Sequence, residues 1–196
     1  LYQQFATGST IIMNQLHRFV PGLGDLIRRV EHEVSARMQT NIYLTPREAQ
    51  GLRVHYDSHD VFVLQVHGTK HWKLYATQVP LPFRGQSFGD FPADPGEVAQ
   101  EFELEPGDML YMPRGLMHVA STTSDTSMHV TMGVLHTTWV ELMIEALARF
   151  ATNDPELRKS LPPGYARESF DRAAAEKTFH QMFARAAAGA DFEGAL

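Results

Sequence analysis

The segment of residues 54–75 most constrains how this chain folds. Its sequence alternates with a period of two residues through Val61, Val63 and Gln65, which favours a β-strand over a helix. His55 and Asp57 begin the same segment. Side chains two residues apart on a strand project from one face, about 7 Å apart, so we predict that these two side chains serve as ligands of one metal ion.

The composition describes an ordinary globular protein. The 196 residues suffice for one substantial core with a small appendage, and 43% of them are hydrophobic. The formal net charge of −6 gives no electrostatic footprint for nucleic acid or anionic membrane, so we expect neither as a direct partner. The sequence contains no recognisable signal peptide and no apolar run long enough to span a membrane, so a cytoplasmic location is the default expectation.

The chain contains no cysteine, which excludes disulfides and thiolate zinc sites. Histidine, of which there are ten, together with Asp and Glu therefore supplies the candidate metal ligands. The sequence begins at Leu1, without Met, in what reads as structured sequence, so we expect the natural N-terminus to lie further upstream.

The first 75 residues predict four β-strands and one helix. Residues 10–16 and 40–46 read as strands, the second ended by Pro46. Between them, apolar residues recur at helical spacing and predict an amphipathic helix over residues 24–38. Gly68 and Thr69 predict the turn of a hairpin whose second strand covers residues 70–75.

The rest of the chain divides into a loop, more strands and a helical tail. Residues 76–100 are rich in Pro and Gly and predict a long surface loop. Turns at residues 106–108 and 113–115 separate short strands and precede His118, and a strand over 127–134 places His129 and Thr131 on one face. Helical patterns over 139–150 and 169–188 predict a separate unit at 139–196, after a catalytic domain at 1–138.

Many short strands with Gly/Pro turns predict a sandwich or barrel, in which strands distant in sequence face each other. His118 is then the natural third ligand beside His55 and Asp57. Two imidazoles and one carboxylate form the facial triad of non-haem Fe(II) oxygenases, which leaves positions open for co-substrate and O₂. Taken singly, a His-x-Asp pair is a weak signal. The other histidines of the region are interpreted as solvated or structural: His59, His67, His71, His129 and His136.

Two motifs in order carry a resemblance to a known family. Residues 55–75, HYDSHDVFVLQVHGTKHWKLY, and residues 104–118, LEPGDMLYMPRGLMH, resemble those of the Jumonji-C, cupin-like ribosomal oxygenases. The resemblance covers roughly residues 1–140 and implies a mainly β fold with helices, a double-stranded β-helix (cupin or jelly-roll) core followed by a helical C-terminal region. It further implies an Fe(II)- and 2-oxoglutarate-dependent protein hydroxylase.

The resemblance also implies roles for individual residues. His55, Asp57 and His118 match the iron ligands and so the catalytic centre. Lys70 matches the basic residue that pairs with the distal carboxylate of 2-oxoglutarate, a charge-assisted contact that is strong when it is desolvated. Further co-substrate contacts are expected from three polar residues, which in a buried position also suit structural hydrogen bonding: Tyr43, Asn41 and Thr131.

The resemblance implies partners as well. The expected substrate is a protein or peptide, a ribosomal protein hydroxylated on Arg or His, and the tail resembles helices that dimerise, so a homodimer is expected. Two alternatives stay open at this point. One is a related oxygenase acting on another peptide or a small metabolite, and the other is a cupin-like metal-binding protein without enzymatic activity. The carboxylate anchor at Lys70 argues against the second, which has no need for it.

Overall fold

The computed structural model describes residues 1–123 and 125–196. They form two compact units, Leu1–His136 and Thr137–Leu196. Within the described residues, no helix has the length and apolar character that crossing a bilayer requires.

The first unit contains two sheets. In chain order its elements are α1 (Tyr2–Ala6), β1 (Ile11–Asn14), a 3-10 turn at Leu16–Arg18, α2 (Pro21–Val34), β2 (Arg37–Thr45), β3 (Asp60–His67), β4 (Lys70–Gln78), β5 (Val98–Leu104), β6 (Met109–Met112), β7 (Leu116–Ser121) and β8 (Ser127–Leu135). One sheet has the order β1-β2-β8-β3-β6 and the other the order β5-β4-β7. All strand pairs are antiparallel. This is the double-stranded β-helix expected from the resemblance.

The turns between strands move the chain from one sheet to the other. The predicted hairpin at Gly68 is wrong, since β3 and β4 belong to different sheets. Gly68 has φ +59, and a Cβ there would collide with the carbonyl oxygen of Thr126. Glycine is therefore required at this crossing. The turns at residues 106–108 and 113–115 act in the same way, because β5 and β7 lie in one sheet and β6 in the other.

Two apolar clusters fix this arrangement. Val61, Val63 and Met112 from one sheet pack with Trp72, Leu74 and Leu104 from the other. A second cluster joins Ile27 of α2 to Met38, Met132 and Val134 of β2 and β8. Burying each such side chain stabilises the fold by roughly 1.5–3 kcal/mol.

Helix α2 lies nearer the N-terminus than the sequence predicts. It begins at Pro21 rather than Gly24 and ends at Val34, after which Ser35 adopts a left-handed conformation with φ 49. Met38 fits the helical spacing but lies in β2, where it is buried against Ile27. An apolar residue just beyond the helix end extended the apparent helical period into a strand.

The second unit is helical. Its elements are α3 (Trp139–Asn153), a 3-10 turn at Pro155–Arg158, α4 (Arg172–Gly189) and α5 (Phe192–Ala195). Thr138 and Glu141 form a capping box at the start of α3, which satisfies backbone N–H groups that a helix N-terminus leaves free. Asp154 accepts hydrogen bonds from the Glu156 amide at 2.9 Å and from Arg185 of α4.

Candidate active site

The residues His55, Asp57 and His118 lie close together in the first unit. One ligand atom from each falls within 4.8 Å of the others. The Asp57 carboxylate lies 4.0 Å from Nε2 of His55 and 3.8 Å from Nε2 of His118. The donor atoms thus form the compact N, N, O set that a divalent first-row metal accepts.

The backbone geometry that brings the three together differs from the prediction. We placed His55 and Asp57 on one face of a strand, but β3 begins only at Asp60. His55 instead forms an isolated antiparallel bridge with His118, through amide-to-carbonyl hydrogen bonds of 3.1 and 2.9 Å. Asp57 is held by the amide of Gly115, which donates to its carbonyl oxygen at 2.9 Å. Each ligand is therefore fixed by backbone contacts to the other ligand segment.

The orientation of each imidazole is also fixed. Nδ1 of His55 lies 2.7 Å from the carbonyl oxygen of Arg53, and Nδ1 of His118 lies 2.9 Å from that of Leu116. With Nδ1–H donating to a carbonyl, Nε2 carries the lone pair toward Asp57, which is the tautomer that binds metal. Burial, and to a lesser extent the closeness of the titratable His55 ring, lowers the pKa of His118 and favours this neutral form.

A partly open pocket with a cavity volume of about 60 Å³ contains both the triad and Lys70. It is lined by Tyr43, Thr45, Gly51, Leu52, His55, Asp57, Val61, Lys70, Trp72, Met112, His118, Ala120, His129 and Thr131. Of the residues predicted as co-substrate contacts, Lys70, Tyr43 and Thr131 line this pocket. Asn41 lies beside it, where its side-chain oxygen accepts from the Gln15 amide at 3.1 Å.

Lys70 is an unusual residue for an interior. It is 2% exposed, and its ammonium donates to Oγ1 of Thr45 at 2.8 Å. Burial lowers the pKa of Lys70 to about 8, because an ammonium loses hydration there. An anion in the pocket would offset that cost.

The sequence interpretation does not place His129 at the site. It treats His129 as solvated or structural, but the structure places it in the pocket, 5% exposed and stacked on Tyr43 with ring centroids 4.9 Å apart. Burial and the charge of Lys70 lower its pKa to about 3, so the ring is neutral. Its buried Nδ1 has no hydrogen-bond partner among the described residues. Only its shared face with Thr131 could have signalled this position from sequence.

Buried polar groups normally have partners, and a nitrogen without one is costly near an ammonium whose hydrogen-bond acceptor is the uncharged hydroxyl of Thr45. Tyr43, which stacks on His129, has a raised pKa owing to burial and to the charge of Asp57, so its hydroxyl stays protonated as a donor. The inner end of the pocket thus presents an ammonium and neutral polar groups, which suits a carboxylate.

Comparisons with a family model and with known proteins agree on one family for this chain. The model of the JmjC domain family matches residues 15–142. The chain is 37% identical over 166 residues to the bifunctional lysine-specific demethylase and histidyl-hydroxylase NO66 of Culex quinquefasciatus, covering 81% of this chain and 26% of that protein. It is 34% identical over 161 residues to ribosomal oxygenase 2 of Mus musculus, covering 79% and 34%.

A solved structure shares the fold. The Escherichia coli ribosomal oxygenase YcfD in complex with cobalt and 2-oxoglutarate matches with a TM-score of 0.58 and 18% identity, over 90% of this chain and 46% of that one. The chain spans about a quarter to a third of the length of the curated relatives described above.

Proposed function

Because the chain belongs to the JmjC domain family, we propose that it is an Fe(II)- and 2-oxoglutarate-dependent oxygenase that hydroxylates a side chain of a protein substrate. The observation that carries this proposal is one pocket that contains both a His, Asp, His donor set and a buried lysine. A metal site alone fits many cupin-like proteins. The buried ammonium of Lys70 in addition favours binding of an anion, which suits an anionic co-substrate.

The residues of the pocket fit both Fe(II) and 2-oxoglutarate. Two imidazoles and one carboxylate match the ligand set of non-haem Fe(II) oxygenases, and both imidazoles have the carbonyl partners that orient ligating histidines. For 2-oxoglutarate, Lys70 would hold the distal carboxylate with help from Tyr43 and Thr131. His129 is a further candidate, since its Nδ1 is buried without a partner in the described chain.

When bound, Fe(II) and 2-oxoglutarate supply the activation of dioxygen, which oxidises 2-oxoglutarate to succinate and CO₂ and leaves one oxygen atom for a substrate C–H bond. The chain's own contribution is binding, orientation and exclusion of water. His55, Asp57 and His118 would hold the metal. Trp72, 3% exposed, and Val61, 4% exposed, supply apolar lining to the pocket that contains the metal ligands and Lys70.

The substrate we propose is a ribosomal protein hydroxylated on Arg or His. The names of the relatives support this class, since they include a histidyl-hydroxylase and a ribosomal oxygenase. The formal net charge of −6 also suits a basic partner. A cytoplasmic location remains a prediction.

We further propose that the second unit forms a homodimer. Its helices expose large apolar side chains, with exposed fractions of 60% at Met143 and Ile144, 57% at Phe179 and 54% at Phe183. Apolar residues of α3 and α4 also line a cavity of about 580 Å³. Exposed apolar surface of this extent is typical of interaction sites.

The test is succinate formation in air after anaerobic loading with Fe(II) and 2-oxoglutarate. The substrates are peptides of ribosomal proteins that contain Arg or His. We expect succinate to rise with at least one peptide, together with the mass gain of one oxygen atom on that peptide. Metal binding without succinate, with or without peptides, would instead favour a non-enzymatic cupin-like protein.

A further inference from the structure

Tyr56 lies between two candidate ligands but belongs to a different contact network. Its neighbours His55 and Asp57 line the pocket, whereas its side chain reaches residues 86–91 of the loop between β4 and β5. The hydroxyl lies 2.9 Å from the carbonyl oxygen of Phe91 and 3.2 Å from that of Gln86, and it donates to this pair. The tyrosine is 2% exposed.

The segment that Tyr56 holds is a compact turn. The Phe91 amide donates to the Ser87 carbonyl at 2.9 Å, and the Ser87 hydroxyl donates to Asp90 at 2.7 Å. The ring of Phe88 packs edge-on against the ring of Tyr56, with centroids 5.6 Å apart and an angle of 87°. Tyr56 thus contacts both ends of the turn and its middle.

A second connection ties the start of the loop to the same ligand segment. The amide of Val79 donates to the carbonyl of Gly115 at 2.9 Å, and the amide of Gly115 donates to the carbonyl of Asp57 at 2.9 Å. Gly115 has φ +85, and a Cβ there would collide with the Val79 carbonyl oxygen. The loop is therefore held by two contacts, one to the side chain of Tyr56 and one to the backbone of Gly115. Both residues belong to the segments that contain the candidate metal ligands.

The loop also presents apolar side chains to solvent. Leu81 is 70% exposed, Phe83 43% and Phe91 52%, although the loop is anchored from within. A loop held by a rigid scaffold is where binding residues are commonly found. Exposed aromatic and aliphatic residues on a loop that is hydrogen-bonded to the ligand segments suit contact with an extended peptide.

We propose that Tyr56 is a positioning residue, which holds residues 79–97 as a peptide-contacting wall beside the metal site. This inference rests on the proposed function for its peptide substrate. It assigns the tyrosine hydroxyl to substrate binding through the loop and not to metal binding.

The test compares Tyr56→Phe with Tyr111→Phe. Phenylalanine keeps the buried ring and removes only the hydroxyl. Tyr111, which is half exposed, supplies a control for the loss of a tyrosine hydroxyl, because its hydroxyl donates to Asp60 at 2.9 Å. The probes are Co(II) titration, chymotrypsin cleavage at Phe83, Phe88 and Phe91, and succinate kinetics with the ribosomal-protein peptide that gives the unaltered chain its highest yield.

We expect Tyr56→Phe to bind Co(II) as the unaltered chain does and to be cleaved faster within the loop. The KM for the peptide should rise about five- to tenfold, the effect of losing one hydrogen bond of ordinary strength, with kcat nearly kept. Tyr111→Phe should change neither the cleavage rate within the loop nor the KM for the peptide. An unchanged cleavage rate and KM would overturn the inference, and so would weakened Co(II) binding. Absence of turnover in the unaltered chain would instead count against the proposed function, while the cleavage rates still decide whether the hydroxyl holds the loop.

Discussion

The two units of this chain use burial in opposite ways. The β-unit buries polar side chains, among them Lys70, Gln65, Thr45 and His129, and several of these surround one pocket. The helical unit buries only Asp154 and Ala186 and leaves large apolar residues exposed. Burying polar groups is costly unless a partner is present, and exposing apolar surface is costly in water. A bound ligand would therefore lower the cost of the buried polar groups in the β-unit. A partner protein would lower the cost of the exposed apolar surface in the helical unit.

The largest expected effect concerns the donor set of the β-unit. Replacing His55, Asp57 or His118 by Ala should weaken Fe(II) binding more than about 100-fold, because losing an outer partner of a metal ligand alone costs 10- to 100-fold. Anaerobic Fe(II) titration checks this. His180→Ala in the helical unit is the control, since His180 is 70% exposed and lies 3.9 Å from Glu176. Equal iron affinity in all four variants would remove the site assignment.

The next effect concerns the anion end of the pocket. Lys70→Ala should raise the 2-oxoglutarate concentration for half-maximal turnover about 30-fold, since it removes a charge-assisted hydrogen bond in a buried place. Lys73→Ala, on the same strand, is the matched control, because Lys73 is 39% exposed and pairs with Glu101 at 3.0 Å. The assignment fails if both variants require the same 2-oxoglutarate concentration.

Without co-substrate, the buried ammonium should reduce stability. The pKa of Lys70 falls from 10.5 to about 8, so between these pH values the unfolded chain binds more protons. Stability contributed by this group therefore rises with pH over that window, and the cost is complete below it. Lys70→Met should raise the free energy of unfolding near neutral pH by about 3 kcal/mol, and the gain should disappear above the window.

Urea denaturation of both chains across this window measures the difference. Thr45, the partner of Lys70, keeps a hydrogen bond from Thr10 at 3.1 Å, so the substitution leaves no buried hydroxyl alone. If the difference in free energy of unfolding between the two chains does not vary with pH, the ammonium of Lys70 is not its cause.

The smallest expected effect is a halving of the molecular mass in solution, and it concerns the helical unit. Phe179→Glu with Phe183→Glu should convert a dimer into a monomer, because two carboxylates on the apolar surface cannot be desolvated without partners. Light scattering measures the mass. Lys177→Glu, on the same helix α4, controls for added negative charge. Equal masses for the altered and unaltered chains would contradict the dimer proposal.

Sequence reasoning identified the elements better than their connections. The strand at Lys70, the turns at residues 106–108 and 113–115, and the strand with His129 and Thr131 were predicted from local signals. Their pairing was not, because a turn motif does not say whether the next strand returns to the same sheet. Gly68 illustrates this, since its closeness to Thr126 depends on chain almost 60 residues away.

The candidate site shows the same limit. Motif order named His55, Asp57 and His118, but the expected strand geometry was wrong, and the three residues meet through the isolated bridge between His55 and His118. His129 has no motif of its own. Its place in the pocket follows from stacking on Tyr43 and from the pairing of β2 with β8, in which these two residues are directly opposed.

The central claim is that this pocket transfers an oxygen atom to a protein. The most direct measurement supplies isotopically heavy dioxygen with Fe(II), 2-oxoglutarate and a panel of ribosomal proteins, followed by mass spectrometry. We predict one heavy oxygen atom in the product protein on Arg or His for each one in succinate, and neither with His118→Ala. Heavy oxygen in succinate but in no protein of any panel, or in neither product, would contradict a protein hydroxylase.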